Sequence, residues 1–312
     1  MCALSFFLES KIHKMFDIAL YVNKVGTNGW TPRDTFFGGT EEYVVETAAI
    51  LARYDYRVAV YHNGPTHGPF GKVHYLPREH YMPPRLALIA IKDVPTTLCA
   101  KRNIYFTNNI HDKAINFPQF DAVIGISNFH ADAFLGRAAN VRIIGHACWT
   151  DALRPESKVP WSFLYSSSPD RGLERVLQLW PKIKAHHPQA TLHVTYGGTA
   201  ARNMDGVVYH GALSQKDMNE LYKTCQFWLH PCDGIELFCI SGYKATVAEC
   251  IPIFASKMAL PETVNGGFSA NTFEEAVDSF LNCKELPKPS ANHKDWLDVT
   301  FELMSLIDEA IL

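Results

Sequence analysis

Ser162-Phe163-Leu164-Tyr165-Ser166-Ser167-Ser168-Pro169-Asp170-Arg171-Gly172-Leu173 decides the fold. Ser162 to Ser166 reads as a strand, the proline and glycine as a tight turn, and Leu173, Val176, Leu177 and Trp180 as one face of the helix that follows. Thr191 to Thr195 supplies the next strand, so the unit is strand, turn, helix, strand, the repeat of a parallel α/β sheet.

The same grammar runs outward both ways. Toward the C-terminus, Ser214 to Asp217 is a capping signature before a helix with Met218, Leu221, Tyr222 and Cys225 as its buried stripe. Phe227 to His230 and Ile251 to Ala255 read as strands flanking a short helix from Ser241 to Cys250, and Thr272 to Glu275 repeats the capping pattern before a helix ending near Leu281. Toward the N-terminus, Phe16 to Val22 is a strand-like run, followed by a polar loop with Gly26 and Gly29 and then by Gly38-Gly39. A helix from Glu41 to Tyr54 comes next, with Val44, Val45, Ala48, Ala49 and Ala52 on its apolar stripe. Further strands read at Arg57 to Tyr61, Ala87 to Ile91, Asn103 to Phe106, Ala122 to Ile126 and Val141 to Ile144.

Two successive series imply two Rossmann-like, doubly wound parallel sheets. Asp151 to Pro160, polar and proline-bearing, is the expected junction, giving domains at 1–152 and 153–292. The amphipathic segment Trp296 to Leu312 is expected as a final helix within 293–312. Met15 opens directly onto the first strand, so the fourteen residues before it read as a leader.

Composition narrows the function classes. The chain has 312 residues, 47% hydrophobic and 20% charged, with a formal net charge of −3 and no block of like charges. A nucleic-acid partner needs a concentrated basic surface, which this sequence lacks. No apolar stretch reaches the length of a membrane span, which leaves peripheral contact as the only expected membrane association. The eight cysteines form no Cys-x-x-Cys pair, which argues against a zinc knuckle and points to a reducing cytosol. Cys239, inside Phe238-Cys239-Ile240, reads as a small buried hydrophobe. There is no G-x-G-x-x-G, no Walker A sequence, no G-x-S-x-G and no Asp-x-Asp.

Ligands of such sheets bind beyond the carboxyl ends of the strands, which selects the candidate residues. Arg171 stands near a helix start, where free N–H groups and the helix dipole favour an anion and a guanidinium matches phosphate oxygens. The bland alternative is a solvated arginine in a first turn. Glu236, in the glycine-bearing loop Asp233 to Gly242, offers a carboxylate to sugar hydroxyls while the N–H groups near Ser241 and Gly242 face a diphosphate. Its alternative is an exposed loop glutamate. Gly38 and Gly39 permit close backbone approach at the first turn, or merely make it tight. His111 follows the strand ending at Thr107, where a structural histidine is the competing reading, since the chain holds fourteen.

In order, four stretches resemble the group 1 (family 4) retaining glycosyltransferases of the GT-B fold. They are Gly38-Gly39-Thr40-Glu41; Ser167 to Glu174; His210-Gly211-Ala212-Leu213 with His230-Pro231; and Glu236 to Pro252, continuing through Ala259 to Val264. The resemblance covers residues 16 to 312. It implies two Rossmann-like domains facing a cleft, with the donor held mainly by the C-terminal one, the acceptor by the N-terminal one, and the last helix returning to the first domain. It also implies a metal-independent, retaining transfer of a sugar from a UDP- or GDP-linked donor to a glycan or other hydroxyl acceptor, without a further cofactor.

By that resemblance Arg171, Glu236 and His111 would be catalytic, with Ser166, Gly211, Leu213, Ser241, Gly242 and Lys244 about the donor nucleotide and Gly38 and Gly39 on the acceptor side. Two departures stand out. Lys244 occupies the position of the family's second, ribose-binding glutamate, and Ser166 that of a basic residue before Arg171. A catalytically inactive sugar-nucleotide-binding scaffold is therefore the alternative, with a GT-B-type epimerase or phosphorylase as a third.

Overall fold

The computed structural model describes residues 16–22, 32, 38–110, 115–196, 204–288 and 293–309. His111 and the loop with Gly26 and Gly29 lie outside the described residues, as do the fourteen residues before Met15. The chain divides into two compact units, Met1–His146 with Trp296–Leu312, and Ala147–Asp295. The division falls ahead of the expected junction. Asp151 to Pro160 belongs to the second unit, where it forms a 3-10 turn at Asp151–Leu153 and enters the strand beginning at Val159.

The first unit orders its sheet around β1 (Ile18–Val22), β2 (Val58–His62) and β5 (Ala87–Ile91), every residue of which is buried. Strands buried on both faces read as unbroken apolar runs, which is why the sequence shows them without alternation. With β3 (Gly68–Phe70), β4 (Val73–Pro77), β6 (Arg102–Phe106), β7 (Ala122–Gly125) and β8 (Val141–Ile143), the order is β3-β4-β2-β1-β5-β6-β7-β8. Only β3 runs antiparallel to its neighbour. Helix α1 (Gly39–Arg53) buries Tyr43, Val44, Thr47, Ala48 and Leu51, while Val45 and Ala49 stay only partly buried. The buried face is thus rotated from the expected stripe, because Tyr43 stacks on Phe106 at 4.2 Å and carries that side of the helix inward. The C-terminal helix Trp296–Asp308 packs on α1, with Trp296 edge-on to Tyr43.

At the amino ends of β1, β2 and β5 sits a charge cluster. The Asp17 carboxylate accepts the Arg57 backbone N–H at 3.0 Å and guanidinium bonds from Arg57 and from Arg85, at 2.8 to 3.1 Å. Burial alone would raise its pKa, but these hydrogen bonds outweigh burial and hold it at about 2.

The second unit is an all-parallel sheet of β9 (Val159–Tyr165), β10 (Thr191–Thr195), β11 (Val207–Gly211), β12 (Cys225–His230), β13 (Ile251–Ala255) and β14 (Phe268–Ala270). Its order is β11-β10-β9-β12-β13-β14, with every pair parallel. In sequence terms that is 3-2-1-4-5-6, the Rossmann order, and it reverses between β9 and β12. Phe163, Phe227, Trp180 and Phe280 form the aromatic centre beneath that point. Trp180 belongs to helix α3 (Leu173–His186; α2 is Asn128–Asp132 of the first unit). Phe280 belongs to the helix Phe273–Leu281, whose Thr272–Glu275 capping box is complete.

Candidate functional site

The switch point brings the carboxyl ends of β9 and β12 side by side, and Ser167, Arg171, His230, Glu236, Cys239 and Ser241 gather there. From β9 the chain turns through Ser166, Ser167 and Ser168 into a 3-10 turn, Pro169–Arg171. Gly172 follows at φ 106°, a left-handed conformation that glycine adopts without steric cost. A Cβ on Gly172 would lie 2.7 Å from the Pro231 side chain and 2.8 Å from Asp233 Oδ2. Glycine here is what lets the loop after β12 close onto the start of α3.

Arg171 projects toward that loop. One guanidinium nitrogen lies 3.0 Å from Glu236 Oε1 and donates at 2.8 Å to the Ile235 carbonyl. A Cβ on Gly234 would sit 2.7 Å from the same nitrogen, so this loop glycine makes room for the arginine. One turn further along α3, Arg175 pairs with Asp233 and with Glu274, pinning the loop from its outer side. Burial raises the Glu236 pKa above the ordinary carboxylate value, opposed by Arg171 and by a hydrogen bond from Cys239. Its side chain is partly buried, 14% exposed, and has Arg171 as its cation.

His230, the last residue of β12, is 1% exposed. Its Nδ1 lies 3.4 Å from Ser167 Oγ, and its ring stacks on Trp228 with centroids 5.1 Å apart. Burial, with the Arg171 charge adding to it, pushes its pKa down to about 4, so the ring is neutral at neutral pH. Cys239 caps helix α5 (Ile240–Val247; α4 is Gln215–Thr224) at φ 63°. A non-glycine residue there costs about 1–2 kcal/mol. Its Sγ lies 4.0 Å from His230 Nε2 and 3.6 Å from Ser241 Oγ, and burial beside Glu236 raises the thiol pKa well above its ordinary value. The residue read as a small hydrophobe therefore carries its thiol in the polar cluster.

The sequence candidates divide as follows. Arg171, Glu236 and Ser241 come together, Ser241 Oγ lying 3.4 Å from Ser167 Oγ. Gly242 follows in the first turn of α5, where a Cβ would meet Val264 at 2.6 Å and Trp228 at 2.7 Å. Its missing side chain thus serves helix packing. The hydroxyl of Ser166 is committed to the core: buried, it accepts from Trp228 Nε1 and Tyr222 OH, each at 2.9 Å.

Gly211, at φ 69°, ends the edge strand β11 with open space where a Cβ would be, and Leu213 is partly buried just before Ser214 caps α4. Lys244, buried on α5, donates to Gln215 Oε1 at 3.0 Å and so links α5 to the start of α4. Glu249 lies beyond the end of α5, exposed and at φ 59°. In the first unit, Gly38 precedes α1, and a Cβ there would fall 2.7 Å from the Glu41 carboxylate. Asn108 Nδ2 donates to Thr40 Oγ1 at 2.6 Å, tying the end of β6 to the start of α1.

Sequence reasoning missed His230 and Cys239 as partners of Glu236. The signal present in one dimension is faint: a histidine closing a strand and a cysteine three residues after the loop glutamate.

No protein-family model matches the chain, and no curated protein matches it by sequence. Solved structures do match by fold. A sucrose-phosphate synthase from Thermosynechococcus elongatus superposes with a TM-score of 0.69 at 14% identity, over 94% of this chain and 98% of its own. WaaG, a glycosyltransferase involved in lipopolysaccharide biosynthesis, gives 0.67 at 12%, over 93% and 99%. HepE from Anabaena, solved with UDP and glucose, gives 0.66 at 12%, over 94% and 100%. The fold of this chain is that of the GT-B glycosyltransferases.

Proposed function

We propose that the protein is a glycosyltransferase that moves a sugar from a nucleoside-diphosphate donor, UDP- or GDP-linked, to a glycan or other hydroxyl acceptor. The observation that carries this is the 3.0 Å pairing of Arg171 with a partly buried Glu236 at the switch point of the second sheet. Perturbed titratable groups at a switch point mark a binding site on physical grounds. That HepE from Anabaena was also solved with UDP-glucose supports the choice of donor class.

In this reading the donor diphosphate takes Arg171 away from Glu236. The N–H groups of Ser241 and Gly242, at the first turn of α5, add donors to the same phosphates. Glu236, released from its ion pair, accepts hydrogen bonds from sugar hydroxyls. The bond between the anomeric carbon and the diphosphate oxygen breaks, and Arg171 and the helix amides stabilise the charge that develops on the leaving oxygen. The acceptor oxygen bonds to the same carbon, and its proton passes to the departing phosphate. Departure and attack on one face retain the anomeric configuration.

Arg171 and the α5 amides supply the charge that a metal would otherwise provide, so the transfer is metal-independent. His111 would touch sugar hydroxyls, Gly38 and Gly39 would border the acceptor, and Gly211, Leu213 and Lys244 would flank the nucleotide. The buried thiols Cys225, Cys239 and Cys250 suit a reducing cytosol.

An inactive sugar-nucleotide-binding scaffold is the second reading, favoured by Lys244 being engaged with Gln215 and by Ser166 adding no charge near Arg171. Purified protein incubated with a panel of UDP-, GDP- and ADP-sugars separates the two. Release of nucleoside diphosphate from one donor, faster with a glycan acceptor, is expected. Binding without turnover of any donor would favour the scaffold.

A further inference from the structure

His230, Glu236 and Cys239 place an imidazole nitrogen, a carboxylate oxygen and a thiol sulfur within 4.8 Å of one another, a grouping that the transfer reading does not use as such. We propose that these three side chains form a binding site for a thiophilic divalent cation of the zinc class, and that its occupation excludes the donor sugar. The second half of this proposal rests on the transfer reading; the metal site itself does not.

The chemistry of the set selects the ion. One sulfur, one nitrogen and one oxygen suit zinc, whereas magnesium and calcium take oxygen ligands alone. Three protein ligands leave a fourth tetrahedral position open to water. The distance from Cys239 Sγ to His230 Nε2, 4.0 Å, is close to the separation of two ligands on one tetrahedral zinc, so small side-chain adjustments suffice.

The surroundings are arranged as outer-shell support. Ser167 Oγ lies 3.4 Å from His230 Nδ1, so with a proton on Nδ1 the lone pair of Nε2 points at the thiol and carboxylate. Stacking on Trp228 fixes the plane of the ring. On the other side, the left-handed backbone of Cys239 carries its sulfur into the cluster, at a position where glycine would relax the chain. Strain held at a ligand position is an observation from which function is properly inferred.

Binding replaces the thiol proton, which passes to the buffer, with a metal–sulfur bond. The cation would also claim Glu236, which now pairs with Arg171 at 3.0 Å. A sugar that needs the Glu236 carboxylate would then find it coordinated.

The test uses the full chain, stripped with EDTA, dialysed and titrated with Co2+ as the probe. One equivalent should produce a thiolate-to-cobalt charge-transfer band, and Zn2+ should remove it stoichiometrically. Cys239→Gly relieves backbone strain, so it should fold with no loss of thermal midpoint. Its Co2+ affinity should fall by more than about 10–100-fold, the loss that removing an outer-shell partner alone produces. Cys232→Ser, a nearby buried thiol outside the set, should keep the band. Absence of the band, or a band that survives Cys239→Gly, would overturn the site.

In wild type, donor turnover should fall in step with zinc occupancy and return on adding EDTA. Full turnover at full occupancy would overturn the exclusion. If no donor turns over in metal-free protein, the transfer reading fails by itself, and the cobalt titration still decides the site.

Discussion

Two carboxylate–arginine clusters sit at opposite ends of the central strands of their sheets, and the difference between them is instructive. Asp17 lies at the amino ends of β1, β2 and β5, saturated by Arg57 and Arg85, with its pKa held at about 2. Glu236 lies beyond the carboxyl end of β12 with Arg171 as its cation, and burial pushes its pKa up. The first carboxylate has spent its hydrogen-bonding capacity on the fold. The second holds a single arginine in a partly exposed site, the arrangement on which the proposed donor role rests. Both sheets share the doubly wound plan, so the distinction comes from the end of the strands, not from the fold.

The sharpest way to break this comparison is to remove one arginine at a time. Arg171→Ala should lower donor turnover by at least about 10²–10³-fold, the loss seen when one transition-state donor is removed. Its thermal midpoint should stay near that of wild type, since an exchangeable ion pair at a partly open site contributes little to stability. Near-normal turnover would make Arg171 a structural residue like Arg57.

Glu236→Gln should cost about 10–100-fold in turnover, the scale of a hydrogen bond to a charged group, while UDP alone still binds. Because the Glu236 pKa is raised, the carboxylate is lost as pH falls through a value above the ordinary glutamate one. Wild-type turnover should therefore show an acid limb starting above that value, and the Gln variant should lack it. An identical acid limb in the two proteins would assign the titration elsewhere.

Asp17→Asn should do the reverse. Turnover at moderate temperature should hold, while unfolding stability drops by about 1–3 kcal/mol. The Asp17 pKa is depressed, so its contribution is complete above the unfolded value of 3.8 and is lost as pH falls from there through about 2. Denaturant melts across that window should converge for variant and wild type. Parallel curves would remove Asp17 from the stability account.

The smallest expected effect is that of EDTA on freshly purified enzyme, which should leave initial rates unchanged or raise them where zinc was present. Loss of activity restored by manganese would refute the metal-independent mechanism.

These contrasts were only partly legible in one dimension. Ala87 to Ile91 and Ile251 to Ala255 are apolar runs and Thr191 to Thr195 alternates polar with apolar, and their strands begin and end at those residues. The hairpin of β3 and β4 escaped because Gly64-Pro65, Gly68-Pro69 and Gly71 read as loop, and proline in a strand is confined to edges, which is where β3 lies. β11 escaped because Val207-Val208-Tyr209-His210 shows no alternation of apolar and polar residues, and none of its residues is fully buried.

Arg171 and Glu236 were visible because each follows a strand and precedes a helix. The Arg171–Glu236 pair itself was not, because 65 positions separate its members and only the strand order joins β9 to β12. The thiol of Cys239 was hidden for a different reason: its apolar neighbours Phe238 and Ile240 predict burial correctly but say nothing of a left-handed backbone.

The central claim is that the switch point of the second sheet binds a sugar nucleotide through Arg171. Calorimetric titration of wild type, Arg171→Ala and Asp17→Asn with UDP, GDP and ADP addresses it most directly. One nucleotide should bind wild type and Asp17→Asn alike, with affinity reduced at least about tenfold in Arg171→Ala, the scale of one charge-assisted phosphate contact. Equal binding by all three proteins, or binding of none of the nucleotides to wild type, would contradict the account.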